Sequence, residues 1–269
     1  MNWLRKHILA QLSLLFFIIL SIAWLLIFRS GTTDAPANHI FGFIYGGFSL
    51  WGGIIGIFVA REWGGFKSLV GKAILLLSLG LLGQAFGQYS FWYYNFALKI
   101  EVPYPGIPDI GYFGTIPCYI GAAWFLAKSS GAKISLQSFV SKLQAILIPA
   151  VMLSIAFFLF LRNYELDPTA LLKTFLDFGY PVGQAIYISI AILTFSLTRK
   201  ILGGSMKAPV LLLIAAFFAQ FLSDYIFIYF HDLYFPASFI DYFYLVAYFI
   251  MSISLINLKT VADQLKGDK

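Results

Sequence analysis

Apolar residues fall in eight long runs, near positions 8–28, 39–60, 69–98, 108–127, 139–161, 175–198, 208–230 and 239–258. Each reaches the roughly 18 residues that carry a helix across the hydrocarbon of a bilayer. In lipid no water satisfies open backbone groups, so each run must be helical. The third run is longer than a bilayer needs, which predicts tilt or projection beyond it. The fold class this predicts is all-α: a polytopic membrane protein of eight transmembrane helices built from repeated helical hairpins. Residues 1–258 form one transmembrane domain and 259–269 a short cytoplasmic tail. The first run has Arg5 and Lys6 before it, as a signal peptide would, but its apolar core is about 20 residues long. That exceeds the ~7–15 of a signal peptide and predicts a retained helix.

The polar residues inside these runs repeat. Gln220 and Asp224 lie on the seventh run, followed by the loop HDLYFPASF and then by Asp241 opening the eighth. Gln84 and Gln88 lie on the third, followed by EVPYPGIP and then by Asp109 opening the fourth. Aligning the two sets Gln84 against Gln220 and Gln88 against Asp224, each pair on one helix face at i, i+4. The downstream helices share Asp-x-x-Tyr: Asp109/Tyr112, Asp241/Tyr244 and a third copy, Asp177/Tyr180. A second tyrosine follows on the same face at Tyr119, Tyr187 and Tyr248, while the second run offers only His39 and Tyr45.

Two accounts of these acids stand side by side. An Asp in a first helical turn accepts from open backbone amides and complements the dipole, which would explain Asp109 and Asp241 as caps. Asp177 follows Leu171-Leu172-Lys173-Thr174-Phe175, which puts it inside a helix, and capping explains it less well. Asp224 lies deep in an apolar run, where a carboxylate costs about 2.5 kcal/mol or more and usually faces a cavity or a partner. Its alternatives are a ligand or proton site, or an interhelical hydrogen bond. Gln184 adds a further amide at this depth. Together these residues predict a polar chamber in the outer half of the bundle, walled by tyrosines and Trp92. Acids beside aromatic faces suit a cationic or amine-bearing ligand.

Composition agrees with the membrane reading: 60% of the residues are hydrophobic, 11% are charged and 19% are aromatic. The net charge of +6 is a topology signal, because 14 of the 18 basic residues fall on the side of the N-terminus. Nine of the 12 acids fall on the opposite side or in that half of the membrane. By the positive-inside rule both termini are cytoplasmic, and nucleic acid is not an expected partner. A single cysteine, Cys118, excludes an internal disulfide framework and a cysteine metal site. The three histidines are too few and scattered for a haem pair or zinc triad, and no cofactor is expected. Gly42-x-x-x-Gly46 and Gly52-x-x-x-Gly56 permit close helix approach within the chain or between protomers. Gly203-Gly204-Ser205 reads as a turn. Loops of at most about 13 residues and an eleven-residue tail leave no room for a kinase, cyclase or nucleotide-binding module.

The segment Tyr104-Pro105-Gly106-Ile107-Pro108-Asp109-Ile110-Gly111-Tyr112 follows a helix ending Phe91-Trp92-Tyr93-Tyr94. It resembles uncharacterised multi-helix membrane sensor domains N-terminal to bacterial and archaeal histidine kinases and diguanylate cyclases. In those domains Pro-Ser-x-Ala-Asp-x-x-Tyr follows such a helix; Gly106 and Pro108 stand here where Ser and Ala are usual. The resemblance implies ligand sensing in a prokaryotic cell membrane. It also implies either a shortened chain or a stand-alone protein that works with a signalling partner or as a homodimer. Leu222-Ser223-Asp224 after Phe217-Phe218, and Gly83 to Gln88, are similar to the acidic helices of eight-helix lysoplasmalogenase-like hydrolases. Their second acid would fall at Gln88, an amide, and acid–base hydrolysis wants a titratable pair held together. Three functions follow in order. The first is a sensory domain with an outward chamber of Gln88, Asp109, Tyr112, Asp177, Tyr180, Gln184, Asp224, Asp241 and Tyr244. The second is a small secondary transporter using Asp224 as a proton or cation site, and the third an intramembrane hydrolase.

Overall fold

A computed structural model describes residues 7–132, 137–198 and 206–267. The turn expected at Gly203-Gly204-Ser205 and the basic residues Arg5, Lys6, Lys133, Arg199, Lys200 and Lys269 lie outside the described residues. The helices are α1 (Ile8–Ser30), α2 (Pro36–Glu62), α3 (Leu69–Trp92), α4 (Ile107–Ser129), α5 (Phe139–Ala156), α6 (Leu171–Thr198), α7 (Lys207–Tyr229) and α8 (Phe239–Gly267). All eight are long and apolar enough to cross a membrane, with mean hydropathy from 1.3 to 2.5 over their best windows. No strand occurs among the described residues.

Local chemistry fixes several ends. Gly31, left-handed at φ 70°, closes α1, and Pro36 starts α2. Ser68 and Ser138 cap α3 and α5 by accepting from the amides of Gly71 and Ser141. α3 and α5 both run on into π-helical turns, Tyr93–Leu98 and Phe157–Leu161. Two boundaries differ from the sequence reading. α6 begins at Leu171, four residues before the predicted start, because Lys173 and Thr174 are tolerated in an exposed first turn. α8 continues without a break through residues 259–267, where Val261 and Ala262 are buried.

Six helices close a ring. α2 packs on α3, α3 on α4, α4 on α6, α6 on α7, α7 on α8, and α8 on α2. α1 lies outside against α8 and α2, and α5 outside against α6. In α1 and α5 only 11% of the best window is buried, against 39% or more in every ring helix. Their exposed Ile8, Leu15, Ile22, Leu26, Val140, Ile146 and Phe158 suit contact with acyl chains.

Glycine sets how tightly the ring closes. A Cβ on Gly52 would strike Ser252 of α8, and one on Gly56 would strike Ser78 of α3. The small-residue motif of α2 is therefore used within the chain. Between α3 and α4 the Tyr119 ring lies directly over Gly80, and Gly83 meets the Gly111 carbonyl oxygen at 3.0 Å from a built Cβ. Replacing Gly80 by Leu is expected to cost about 1–3 kcal/mol by overpacking. Gly114, with nothing within 4 Å of a built Cβ, should accept Leu with little change. Thermal unfolding in detergent, followed by far-UV circular dichroism, checks both. Equal midpoints would show that the Tyr119 contact does not limit the approach of α3 and α4.

Candidate functional site

The ring encloses a cavity of about 720 Å³ at the end carrying the connections 99–106, 163–170 and 230–238. Every ring helix contributes to its wall, and the last turn of α5 adds Leu159 and Phe160. Along α6 the wall runs from Lys173 to Gln184, a depth of roughly 16 Å at the helical rise per residue. Below it the ring is solid: Tyr119 packs edge-on against Tyr187 and Phe217, and its hydroxyl meets Met251 Sδ at 3.7 Å.

Four aspartates from four helices line this cavity, each joined to at least one phenol. Asp224 on α7 uses Oδ1 to accept from Gln220 Nε2 at 2.9 Å and from the Tyr244 hydroxyl at 3.0 Å. Its Oδ2 accepts from the Tyr187 hydroxyl at 3.1 Å. Asp241, at the start of α8, divides its oxygens between the Tyr45 hydroxyl at 2.9 Å and the Ala237 amide at 2.8 Å. Asp109 does the same on α4, accepting from the Tyr180 hydroxyl and the Gly106 amide, both at 2.8 Å. Capping and interhelical bonding are thus both true of these two acids, one oxygen for each. Asp177, inside α6, accepts from Tyr104 at 2.6 Å and from Tyr164 at 2.7 Å.

The amides follow the same rule. Tyr112 donates to Gln88 Oε1 at 3.1 Å, and Gln88 Nε2 reaches the Gly42 carbonyl at 3.3 Å. Tyr248 donates to Gln84 Oε1 at 3.0 Å. Gln184 lines the cavity, is 4% exposed, and its Oε1 has no hydrogen-bond partner. A buried acceptor left unpaired is costly, and Gln220 Oε1 on α7 is another among the described residues.

All of Gln88, Asp109, Tyr112, Asp177, Tyr180, Gln184, Asp224, Asp241 and Tyr244 stand on the cavity wall. Trp92 does not: its indole donates to the His39 carbonyl at 2.9 Å and ties α3 to α2 outside the chamber. His39 also lies off the wall, its Nε2 2.6 Å from Asp34. The sequence reading left Tyr45, Tyr104, Tyr164 and Tyr234 off the site, yet all four line it. Tyr104, Tyr164 and Tyr234 share a signal that could have found them, one tyrosine near an acid in each of the connections 99–106, 163–170 and 230–238, whereas Tyr45 lies inside α2.

Among the described residues, no ion pair includes any of the four cavity aspartates. The basic side chains on the wall, Lys173 and His231, are exposed at its rim. A phenol that gives its hydrogen to a carboxylate keeps only acceptor capacity for anything else. The polar part of the wall therefore offers oxygen acceptors, set among aromatic rings. That surface is suited to a donor-rich, positively charged group. Comparison with protein-family models, with curated proteins and with solved structures gives no match.

At the rim, the Asp177 carboxylate raises the Tyr164 phenol above its ordinary range, and burial followed by the same carboxylate raises Tyr104. Both remain protonated donors at physiological pH. Asp167 is held below its usual value by the hydroxyl and amide of Thr169 and stays ionised there. Asp177 thus clips two connections to α6. Asp177→Ala is expected to let a glutamate-specific protease cut at Glu101 and Glu165 at least about fivefold faster, since two hydrogen bonds are lost. Unchanged rates would mean that the connections are held by other contacts.

Proposed function

We propose that this chain is the ligand-binding part of a membrane sensor, taking up a small cationic or amine ligand from outside the cell. The observation that carries the reading is the cavity itself. Acids from α4, α6, α7 and α8 converge on it without an ion-pair partner, beside aromatic rings that add cation–π attraction. By the positive-inside rule the cavity end faces outward and both termini lie in the cytoplasm. The signal leaves along α8, which bears Asp241, Tyr244 and Tyr248 at the cavity. At its other end Lys259 pairs with Glu62 of α2 at 2.9 Å. The resemblance of residues 104–112 to sensor domains supports the same function.

We read the α3–α4 and α7–α8 hairpins as two copies of one unit. In each, the tyrosine of Asp-x-x-Tyr donates back to the aligned residue on the preceding helix: Tyr112 to Gln88, and Tyr244 to Asp224. The opening acid of each pairs one oxygen with a backbone amide and the other with a distant tyrosine. The packed layer around Tyr119, Tyr187, Phe217 and Met251 counts against a passage through the bundle in this conformation. None of the described hydrogen bonds joins two of these carboxylates, which counts against a hydrolytic acid pair.

Thermal-shift measurements with amines, amino acids and lipids test the binding. An amine at hundredfold excess over its Kd should raise the melting midpoint by roughly 5–10 °C. Asp224→Asn should abolish that shift. A panel in which no amine stabilises the wild-type protein would remove the proposal. Orientation is tested by single cysteines in a Cys118→Ser background. A membrane-impermeant maleimide added to intact cells should label Glu101→Cys and leave Lys67→Cys unlabelled, and the reverse pattern would invert the topology.

A further inference from the structure

α5 stands outside the ring, yet its last turn closes part of the chamber, and one of its flanks carries a groove of its own. Met152, Ala156 and Phe160, spaced i, i+4, turn toward the bundle. Beside that stripe Ala150, Val151, Ser154, Ile155, Phe158 and Leu159, all exposed, form a groove of about 400 Å³. The small Ala150 and Ser154, one turn apart, leave the space. Ser154 spends its hydroxyl on the Ala150 carbonyl at 2.7 Å, so the groove presents no free donor. From Ala150 to Leu159 it runs roughly 14 Å, about the depth of the chamber. Leu159 borders the groove and also lines the chamber, and is 49% exposed. On the inner side, Phe160 meets the Tyr225 ring of α7 edge-on at 5.0 Å, and the Tyr225 hydroxyl donates to the Pro181 carbonyl of α6 at 3.1 Å. The α6–α7 seam is thus tied at Tyr225, and nearer the loop end Leu159 and Phe160 of the π turn complete the wall.

We propose that the ligand is a single-chain amphiphile that reaches the chamber sideways from the surrounding leaflet, its head among the carboxylates and phenols and its alkyl chain in the α5 groove. This rests on the sensor reading for the head and adds the chain and the route. The occupant of the groove is hydrocarbon, because the groove lies on a helix of mean hydropathy 2.4 of which only 11% of the best window is buried. What distinguishes this groove from other lipid-facing surface is its neighbour. A head drawn to the acids has to leave lipid through a wall, and Leu159 is the one side chain among the described residues shared by groove and chamber. A rotamer change at Leu159 joins the two spaces without moving a ring helix. Its place in a π turn fits that role, since such turns recur at functional sites. The hydrophobic effect does not drive the chain from lipid into the groove, because both are equally apolar. The groove fixes where the chain lies while the head docks.

The test uses the full chain in lipid nanodiscs and dodecylamine carrying a diazirine at the end of its chain. After irradiation, peptides spanning 150–159 should carry the label, and excess unlabelled dodecylamine should compete it away, which separates a site from bulk lipid contact. Filling the groove with Ala150→Phe and Ser154→Phe together should cut the competed labelling at least about tenfold, the scale of an overpacked contact. Both positions are exposed on α5, so the bundle keeps its packing. Leu15→Phe, on the equally lipid-facing α1, should leave the labelling unchanged. Labelling that resists competition, that survives the filled groove or that is confined to other helices overturns the inference. Calorimetric titration with ethylamine, whose chain is too short to occupy the groove, then decides the sensor reading separately. Ethylamine binding leaves that reading standing, and no binding of either amine overturns both.

Discussion

A carboxylate inside an apolar helical bundle needs hydrogen-bond donors, and in this protein most of them are tyrosine hydroxyls. The cost of an acid at that depth is about 2.5–3.5 kcal/mol, and an interhelical hydrogen bond in a membrane returns about 0.6 and at most ~1.7. One donor is therefore not enough, and Asp224 takes two from other helices, Tyr187 and Tyr244, and a third from Gln220 on its own. Tyrosine can supply such donors without adding further polar surface, because its ring buries as a hydrophobe and only the hydroxyl must find a partner. That explains why Tyr45, Tyr119, Tyr187 and Tyr248 head the largest fully buried side chains. The bonds also cross-link the ring: Tyr45 joins α2 to α8, Tyr180 joins α6 to α4, Tyr187 joins α6 to α7, and Tyr248 joins α8 to α3. The network that makes the acids tolerable is the same one that holds the chamber open in a defined shape.

Below the chamber the opposite solution operates. Glycines on α2, α3 and α4 bring backbones together, and rings or hydroxyls fill the space a side chain would need. The result is one bundle with a hollow half and a packed half. α8 belongs to both. It carries two of the cavity's hydroxyl donors, then Met251 and Leu255 in the core, then the Lys259 pair with Glu62 at the far end. A stiff helix spanning the two halves gives the proposed signal a mechanical route, since a shift of Tyr244 or Tyr248 has no soft segment in which to dissipate.

Much of this was legible before any coordinates, for physical reasons. Hydrocarbon thickness imposes a minimum length on every spanning run, so the eight helices announce themselves. The cost of a buried acid makes Asp224 conspicuous, and the recurrent Asp-x-x-Tyr directs attention to one end of the bundle. The tyrosine partners were not legible, because bonds such as Tyr45–Asp241 and Tyr104–Asp177 link residues 196 and 73 positions apart. Trp92 was misplaced for a related reason: an indole at the right height serves equally as a wall or as a tie between neighbouring helices, and only the packing decides. Helix order within the ring also left little mark. The two peripheral helices, α1 and α5, do have the highest mean hydropathies, 2.5 and 2.4. A helix that meets lipid on most of its circumference has no need of glycines, amides or hydroxyls for packing, so its composition drifts to the apolar extreme.

The same logic bears on what the chamber can hold. A hydrolytic or proton-relay site would place two titratable groups against each other, so that each tunes its neighbour. Here the acids stand on four separate helices and each takes its own phenols, an arrangement that keeps them as independent acceptors. What they share is the space between them, whose wall also includes Gln184. Carboxylates stand at more than one depth of that wall, Asp177 at the rim and Asp224 deeper, each set among phenols and aromatic rings.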